Sequence, residues 1–146
     1  MGRGVLCLLL AFLAGCATGD AARTDRRIIN LTDPVGPFSG AVVSGDTLFA
    51  SGQIGTIPGT KEVVAGGIGP ETRQTLENLL SVLGQAGFDR SHITSVTIYL
   101  ADISDYAAMN EVYREFFTEA YPARACVAVK ELVLGARVEI SCIAVK

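Results

Sequence analysis

The stretch that decides the fold is PETRQTLENLLSVLGQAGFDRSHITSVTIYL, residues 70–100. Its first half repeats apolar side chains at helical spacing. Leu76, Leu79, Leu80 and Leu83 share one face, and Ala86 extends it. Pro70 has no N–H to waste at a helix start, and Glu71 brings negative charge to the first turn. Gly87 is a natural residue for the turn that follows a helix. The spacing therefore predicts a helix over Pro70–Ala86. The second half changes period. Ile93–Leu100, ITSVTIYL, is β-branched and nearly alternating, which predicts a strand.

Upstream, Gly40–Ile54 reads GAVVSGDTLFASGQI, two β-prone runs about the turn cluster Ser44-Gly45-Asp46. That pattern predicts a hairpin. Downstream, Ser104 or Asp105 can cap a second helix. Tyr106, Met109, Tyr113, Phe116, Phe117 and Ala120 form its expected buried stripe, and Pro122 ends it. Ala125–Lys130 and Arg137–Lys146 read as two final strands with a turn near Leu134-Gly135. The order is ββαβαββ. Helices alternating with strands in so short a chain imply an α/β fold, one mixed sheet with both helices on one face. The strands are rich in Val and Ile on both sides, so the uncovered face calls for a partner surface. An oligomer built sheet to sheet is expected.

The beginning of the chain has a different character. Arg3 precedes the apolar run Val5–Ala14, VLCLLLAFLA. That run is about half the ~20 residues a helix needs to span a bilayer. It suits the apolar region of a signal peptide. It ends in Leu13-Ala14-Gly15-Cys16, which resembles a bacterial lipobox. Small residues admit the chain to a peptidase cleft, and the cysteine thiol can take a diacylglycerol. The expected organisation is a lipoprotein signal peptide over 1–15, a flexible tether over 16–27 and a folded domain over 28–146. Cys16 becomes the lipidated residue of an exported, membrane-anchored protein on the periplasmic side. Ala17, rather than aspartate, resembles lipoproteins sorted to an outer membrane where the host has one.

Composition narrows the chemistry. The chain has 146 residues, enough for one domain with a real core, and a formal net charge of −3. Arg26-Arg27 is the one basic cluster, so an electrostatic footprint for nucleic acid is absent. Cys7 leaves with the signal peptide, and only Cys126 and Cys142 remain in the folded part. They lack CxxC spacing, and His92 belongs to no ligand pattern, so neither a metal nor another cofactor is expected. The two cysteines sit at similar distances from the Leu134-Gly135 turn. They read either as two buried thiols or, after export, as a cross-strand disulfide.

Several segments together resemble the RidA (YjgF) family of small trimeric imine deaminases. They are Gly36-Pro37-Phe38-Ser39, Ser51-Gly52-Gln53, Tyr99-Leu100-Ala101-Asp102, Asn110 with Tyr113, Phe116 and Phe117, Tyr121-Pro122-Ala123-Arg124-Ala125-Cys126, and Val138–Val145. The resemblance runs from about Ile28 to the end. It implies a chorismate-mutase-like trimer with a pocket between subunits and, as partner, a small imine or keto acid bearing a carboxylate. Water adds to the C=N carbon, ammonia leaves and a 2-keto acid remains.

The resemblance also sorts the candidate residues. Arg124 taken alone reads as a solvated surface arginine. By resemblance it becomes the carboxylate anchor, since a guanidinium fork pairs with a carboxylate through two hydrogen bonds. The backbone of Ala125 and Cys126 is expected to help hold substrate, and the Cys126 side chain reads as a small buried apolar group. Asn110, on the apolar side of the second helix, is either a brace or a pocket lining. Ser51 and Gly52 end a strand where they either touch a ligand or form an ordinary turn. Phe38 stands where a tyrosine is common and can wall the pocket without donating a hydrogen bond. Ser141 stands where the resemblance leads to a glutamate that polarises water, and a serine without a partner is no base at neutral pH. Glu139, two residues away on the same strand face, either substitutes in part or is a solvated or interface charge. Two readings of function follow. One is a 2-imino acid or enamine deaminase at the envelope. The other is a non-catalytic trimeric module that binds a small carboxylate.

Overall fold

A computed structural model describes residues 25–32, 34–118 and 120–146. The signal sequence, Cys16 and the tether as far as Thr24 lie outside the described residues. The elements are β1 (Arg26–Ile29), β2 (Ala41–Ser44), β3 (Thr47–Ile54), α1 (Ile68–Gln85), β4 (Ile93–Leu100), α2 (Tyr106–Phe116), β5 (Ala123–Ala128) and β6 (Val138–Val145). One six-stranded sheet has the order β1-β2-β3-β6-β4-β5. Only β4 and β5 run parallel, as the α2 crossover between them requires.

The predicted hairpin, both helices and β4 are all present. β1 is an addition to the predicted order. It takes in Arg26 and Arg27 and pairs antiparallel with β2 at the sheet edge. The Arg27 guanidinium donates to the Ala86 carbonyl at 2.6 Å, so a side chain from β1 closes the end of α1. That end is a Schellman motif. Gly87 N–H bonds to Gly84 O, and Phe88 N–H bonds to Leu83 O, both at 3.0 Å. Gly87 has φ +77°, a conformation that disfavours a Cβ.

The helices cover one face of the sheet. Leu76, Leu79 and Leu83 of α1 meet Leu48, Val96, Ile98, Leu100, Val138 and Ile140 in a core from which water is excluded. The apolar stripe of α1 also takes in Thr72, Thr75 and Val82, while Leu80 is only partly buried. The expected stripe of α2 needs correction. Met109, Val112, Tyr113 and Phe117 are buried, but Tyr106 and Ala120 are exposed. The helix ends at Phe116, well before Pro122, because Phe117 turns extended at φ −113°, ψ 93°.

The opposite face follows the register. Ile28, Val42, Phe49 and Ile143 align across β1, β2, β3 and β6. Ile28, Phe49, Val127, Ile143 and Val145 are all exposed. This is the uncovered apolar surface that the Val and Ile content implies.

The two final strands are not neighbours. β6 lies between β3 and β4, and β4 separates it from β5. Cys126 pairs in register with Ile98, and Cys142 with Val96, so a whole strand stands between them. Two strand spacings are about 10 Å, beyond the roughly 7 Å that a disulfide spans between Cα atoms. Both cysteines are free thiols.

Leu83 is fully buried, so Leu83→Ala is expected to cost about 2–5 kcal/mol in urea unfolding. Leu80→Ala, at the margin of the stripe, costs distinctly less. Equal losses would contradict the assigned helix face.

Candidate functional site

The candidate residues fall into two groups on opposite faces of the sheet. The first gathers around Arg124. This residue pairs in register with the buried Val96, so its side chain leaves β5 on the helix face. There α2 receives it. Nη1 donates to Asn110 Oδ1 at 2.8 Å, and Nη2 donates to the Tyr106 hydroxyl at 3.3 Å. The guanidinium carbon lies 4.6 Å from the centroid of the Tyr113 ring and 5.8 Å from that of Tyr106. Cation–π attraction thus supports the charge from beneath. A groove of about 390 Å³ opens here, lined by Asn110, Tyr113, Arg114, Tyr121, Pro122 and Arg124. Asn110 is therefore both a brace for the arginine and part of the groove wall.

Tyr106 and Tyr113, which the sequence pattern assigns to the core alone, both meet Arg124. Their spacing with Asn110 is i, i+4, i+7, a single helix face. The Tyr113 hydroxyl is buried and has no hydrogen-bond partner among the described residues. Burial pushes its pKa up to about 12.

The second group lies on the open face. Pairing between β3 and β6 shifts between Ala50 and Gln53, a bulge that holds Ser51 and Gly52. The Ser51 hydroxyl donates to Ser39 O at 2.7 Å, and Ser51 N–H bonds to Gly40 O at 2.9 Å. Ser51 thereby fastens the segment that carries Phe38, whose ring is exposed. Gly52 meets a carboxylate. A Cβ placed there would lie 1.9 Å from Glu139 Oε1 and 2.7 Å from its Cδ. Glu139 is half-buried and accepts no hydrogen bond from the described residues. Burial alone raises its pKa above the ordinary value for a glutamate.

Ser141 lies two pairs further along β6, opposite Thr97 and two strands from Ala125. It too is half-buried, but it makes no side-chain hydrogen bond to the described residues. The carboxylate on this strand is thus present, two residues before the serine. Val138 and Ile140 face the helices, which leaves Glu139 and Ser141 on the open side. Arg124 and Glu139 are consequently divided by the sheet itself, and one chain does not bring them to a common ligand.

Cys126 is partly buried and packs against the core. Burial raises its thiol pKa and that of Cys142, the latter to about 12. Both thiols stay protonated near neutrality and are poor nucleophiles. β5 is an edge strand, so part of the Ala125–Cys126 backbone points away from β4 and is free for a ligand.

A braced arginine over a groove and a desolvated carboxylate over a glycine define a class: a small α/β protein that carries an anion-pairing guanidinium on one face of its sheet and a half-buried carboxylate on the other. Residues 28–146 match the family described as Endoribonuclease L-PSP, and the chain belongs to it. The chain is 41% identical over 124 residues to the 2-iminobutanoate/2-iminopropanoate deaminase of Capra hircus, covering 83% of this chain and 90% of the relative. RidA from the Antarctic bacterium Psychrobacter superposes with a TM-score of 0.77 at 35% identity, covering 85% of this chain and all of that one. E. coli TdcF with bound serine superposes equally well, with a TM-score of 0.77 at 35% identity, covering 82% of this chain and 98% of that one.

The Tyr113 hydroxyl has a sign-definite consequence. Its folded-state pKa, about 12, lies above the ordinary value near 10. The unfolded chain therefore loses this proton first as pH rises. The contribution of this phenol to stability is full below pH 10 and is lost between pH 10 and 12, by roughly 1.4 kcal/mol per unit. It comes on top of the same-sign loss from the buried Cys142 thiol, which begins near pH 9. Tyr113→Phe keeps the ring under Arg124 and is expected to remove the phenol's part of this alkaline loss in unfolding measured across that range. An identical alkaline slope in both proteins would refute the burial of the phenol.

Proposed function

We propose that this protein is a RidA-type deaminase that hydrolyses 2-imino acids to 2-keto acids and ammonia. The observation that carries the reading is Glu139, a desolvated carboxylate held against the Gly52 backbone with no hydrogen-bond donor among the described residues. The Capra hircus relative, named for 2-iminobutanoate and 2-iminopropanoate, supplies the substrate class. The serine bound to TdcF supports a site for small carboxylates.

The pocket forms between copies of the chain. Arg124 of one copy faces the Ser51–Gly52 bulge and Glu139 of a neighbour, in a homotrimer that covers the apolar open face. This arrangement is supported by the division of the two groups across one sheet. Arg124 takes the substrate carboxylate through two hydrogen bonds. Glu139 accepts a proton from water as the water oxygen bonds to the C=N carbon, and the nitrogen gains that proton. The hydroxyl proton of the adduct then passes to the nitrogen as the C–N bond breaks, which expels ammonia and leaves the keto group. Phe38 walls the pocket. The reading as a non-catalytic module rests on Ser141, and a carboxylate at Glu139 removes its ground. Ribonuclease activity, which the family's description suggests, is disfavoured by a net charge of −3.

The test uses 2-iminobutanoate generated in situ by an amino-acid oxidase. The wild type is expected to speed its decay, with Arg124→Ala raising KM and Glu139→Gln lowering kcat about 100-fold. Gly52→Ala displaces the carboxylate and lowers kcat while the fold persists. Decay at the spontaneous rate with wild-type protein would overturn the deaminase.

We further propose that the trimer stands outside the inner membrane, held by lipidated Cys16. Three acyl chains on one particle attach far more firmly than the marginal grip of one. Cys16→Ser should move the protein from the membrane pellet to the soluble fraction and abolish labelling by a radioactive fatty acid. Soluble, unlabelled wild-type protein would remove the anchor.

A further inference from the structure

A buried carboxylate that takes no part in the proposed chemistry stands behind Glu139. Glu71, in the first turn of α1, is only 3% exposed. Its Oε1 accepts hydrogen bonds from Arg137 N–H at 2.6 Å and Val138 N–H at 3.2 Å. Those are the two residues that lead directly into Glu139. The same helix grips the other strand of the site. Asn78, two turns along α1, donates to Ile54 O and Thr56 O, both at 2.9 Å. Ile54 is the register partner of Glu139. The approach is close enough to exclude any side chain at Gly55, where a Cβ would lie 2.5 Å from Glu71 Cγ and 2.9 Å from Glu71 O. Arg137 is fixed a second time. Its guanidinium makes a two-point bond to the buried Asp105, at 3.0 and 2.8 Å, and its carbonyl accepts from Ala101 N–H at 2.9 Å.

A helix whose only task was to cover the sheet would need apolar contacts at this point. A carboxylate in its place is costly to bury unless it is hydrogen-bonded. Here its bonds are spent on the backbone that aims Glu139. We propose that Glu71 is a positioning residue for Glu139, pegging the start of β6 so that the catalytic carboxylate lies over Gly52. This inference rests on the deaminase reading for its kinetic consequence, and on the geometry of one chain for its structural one. Glu71 touches no substrate and acts only through Arg137 and Val138.

The experiment compares Glu71→Met, Glu71→Asp and Glu71→Gln in the full chain. Met fills the space without an acceptor. Asp keeps the charge but withdraws the acceptor by one methylene. Gln keeps an acceptor oxygen at the same reach. Met and Asp are expected to lower kcat by about tenfold or more, since small misplacements of reacting groups are costly. KM should stay within about twofold, because Arg124 is untouched. Gln should stay within about threefold of wild type. A second readout needs no turnover. The Glu139 carboxyl, assigned through Glu139→Gln, is followed by carbon NMR titration. Its midpoint should fall toward the ordinary glutamate value in Met and Asp and hold in Gln. Should Met fail to fold, Asp carries the same comparison. Gln performing no better than Asp, or an unmoved Glu139 titration in Asp, overturns the proposal and leaves Glu71 a stability residue. Wild-type protein without imine turnover would defeat the deaminase reading instead, and the titration would still decide whether Glu71 places Glu139.

Discussion

The place of β6 between β3 and β4 governs the rest of this molecule. As a central strand it is hydrogen-bonded on both sides, so its alternation leaves no freedom in where each side chain goes. Val138, Ile140, Cys142 and Ala144 enter the helix-covered core, and Glu139, Ser141, Ile143 and Val145 are driven to the other face. A slip of one residue would bury Glu139 beneath the helices and expose Ile140. The hydrophobic demand of four buried positions thus holds a carboxylate on the open face, where it is half dry but still reachable.

The two halves of the site are built by opposite electrostatic strategies. Arg124 is exposed, and its environment adds contacts to a charge that water already solvates. Asn110, the Tyr106 hydroxyl and the Tyr113 ring restrict its orientation. Glu139 has been deprived of solvent without receiving a donor from the described residues in exchange, and the loss of solvent raises its pKa. A guanidinium placed opposite it by a neighbouring copy, with a substrate carboxylate between, would balance the charges of both. The exposed apolar surface on the Glu139 side gives such a neighbour a reason to dock.

Much of this is legible in the sequence, and the misses share a cause. The helix at Leu76–Leu83, the strand Ile93–Leu100 and the hairpin about Gly45 are written in residues close along the chain. Arg124 and Asn110 stand out in the sequence and do meet. Helical spacing assigns Tyr106 to the core because aromatic residues in such a stripe usually lie there, whereas α2 projects its first turn to where β5 can present an arginine. The glutamate expected at Ser141 follows from position within a motif. Burial of alternate residues and the bulge at Ser51–Gly52 set the Glu139 carboxylate against the Gly52 backbone, on the same face as Ser141. Of the two readings of Cys126 and Cys142, that of free thiols holds, because a disulfide requires that consecutive strands pair and β4 is set between them.

The sequence by itself determined the two helices, most of the strands, the single mixed sheet and the apolar character of both sheet faces. Periodicity and turn chemistry are properties of neighbours along the chain, and they act before any long-range contact exists. Only the tertiary structure decided which strands lie side by side, and hence that Arg124 and Glu139 stand on opposite sides of one sheet. It alone showed a buried Glu71 reaching back to the start of β6. Those relations join residues far apart in sequence through backbone hydrogen bonds, and backbone groups carry no residue-specific signal.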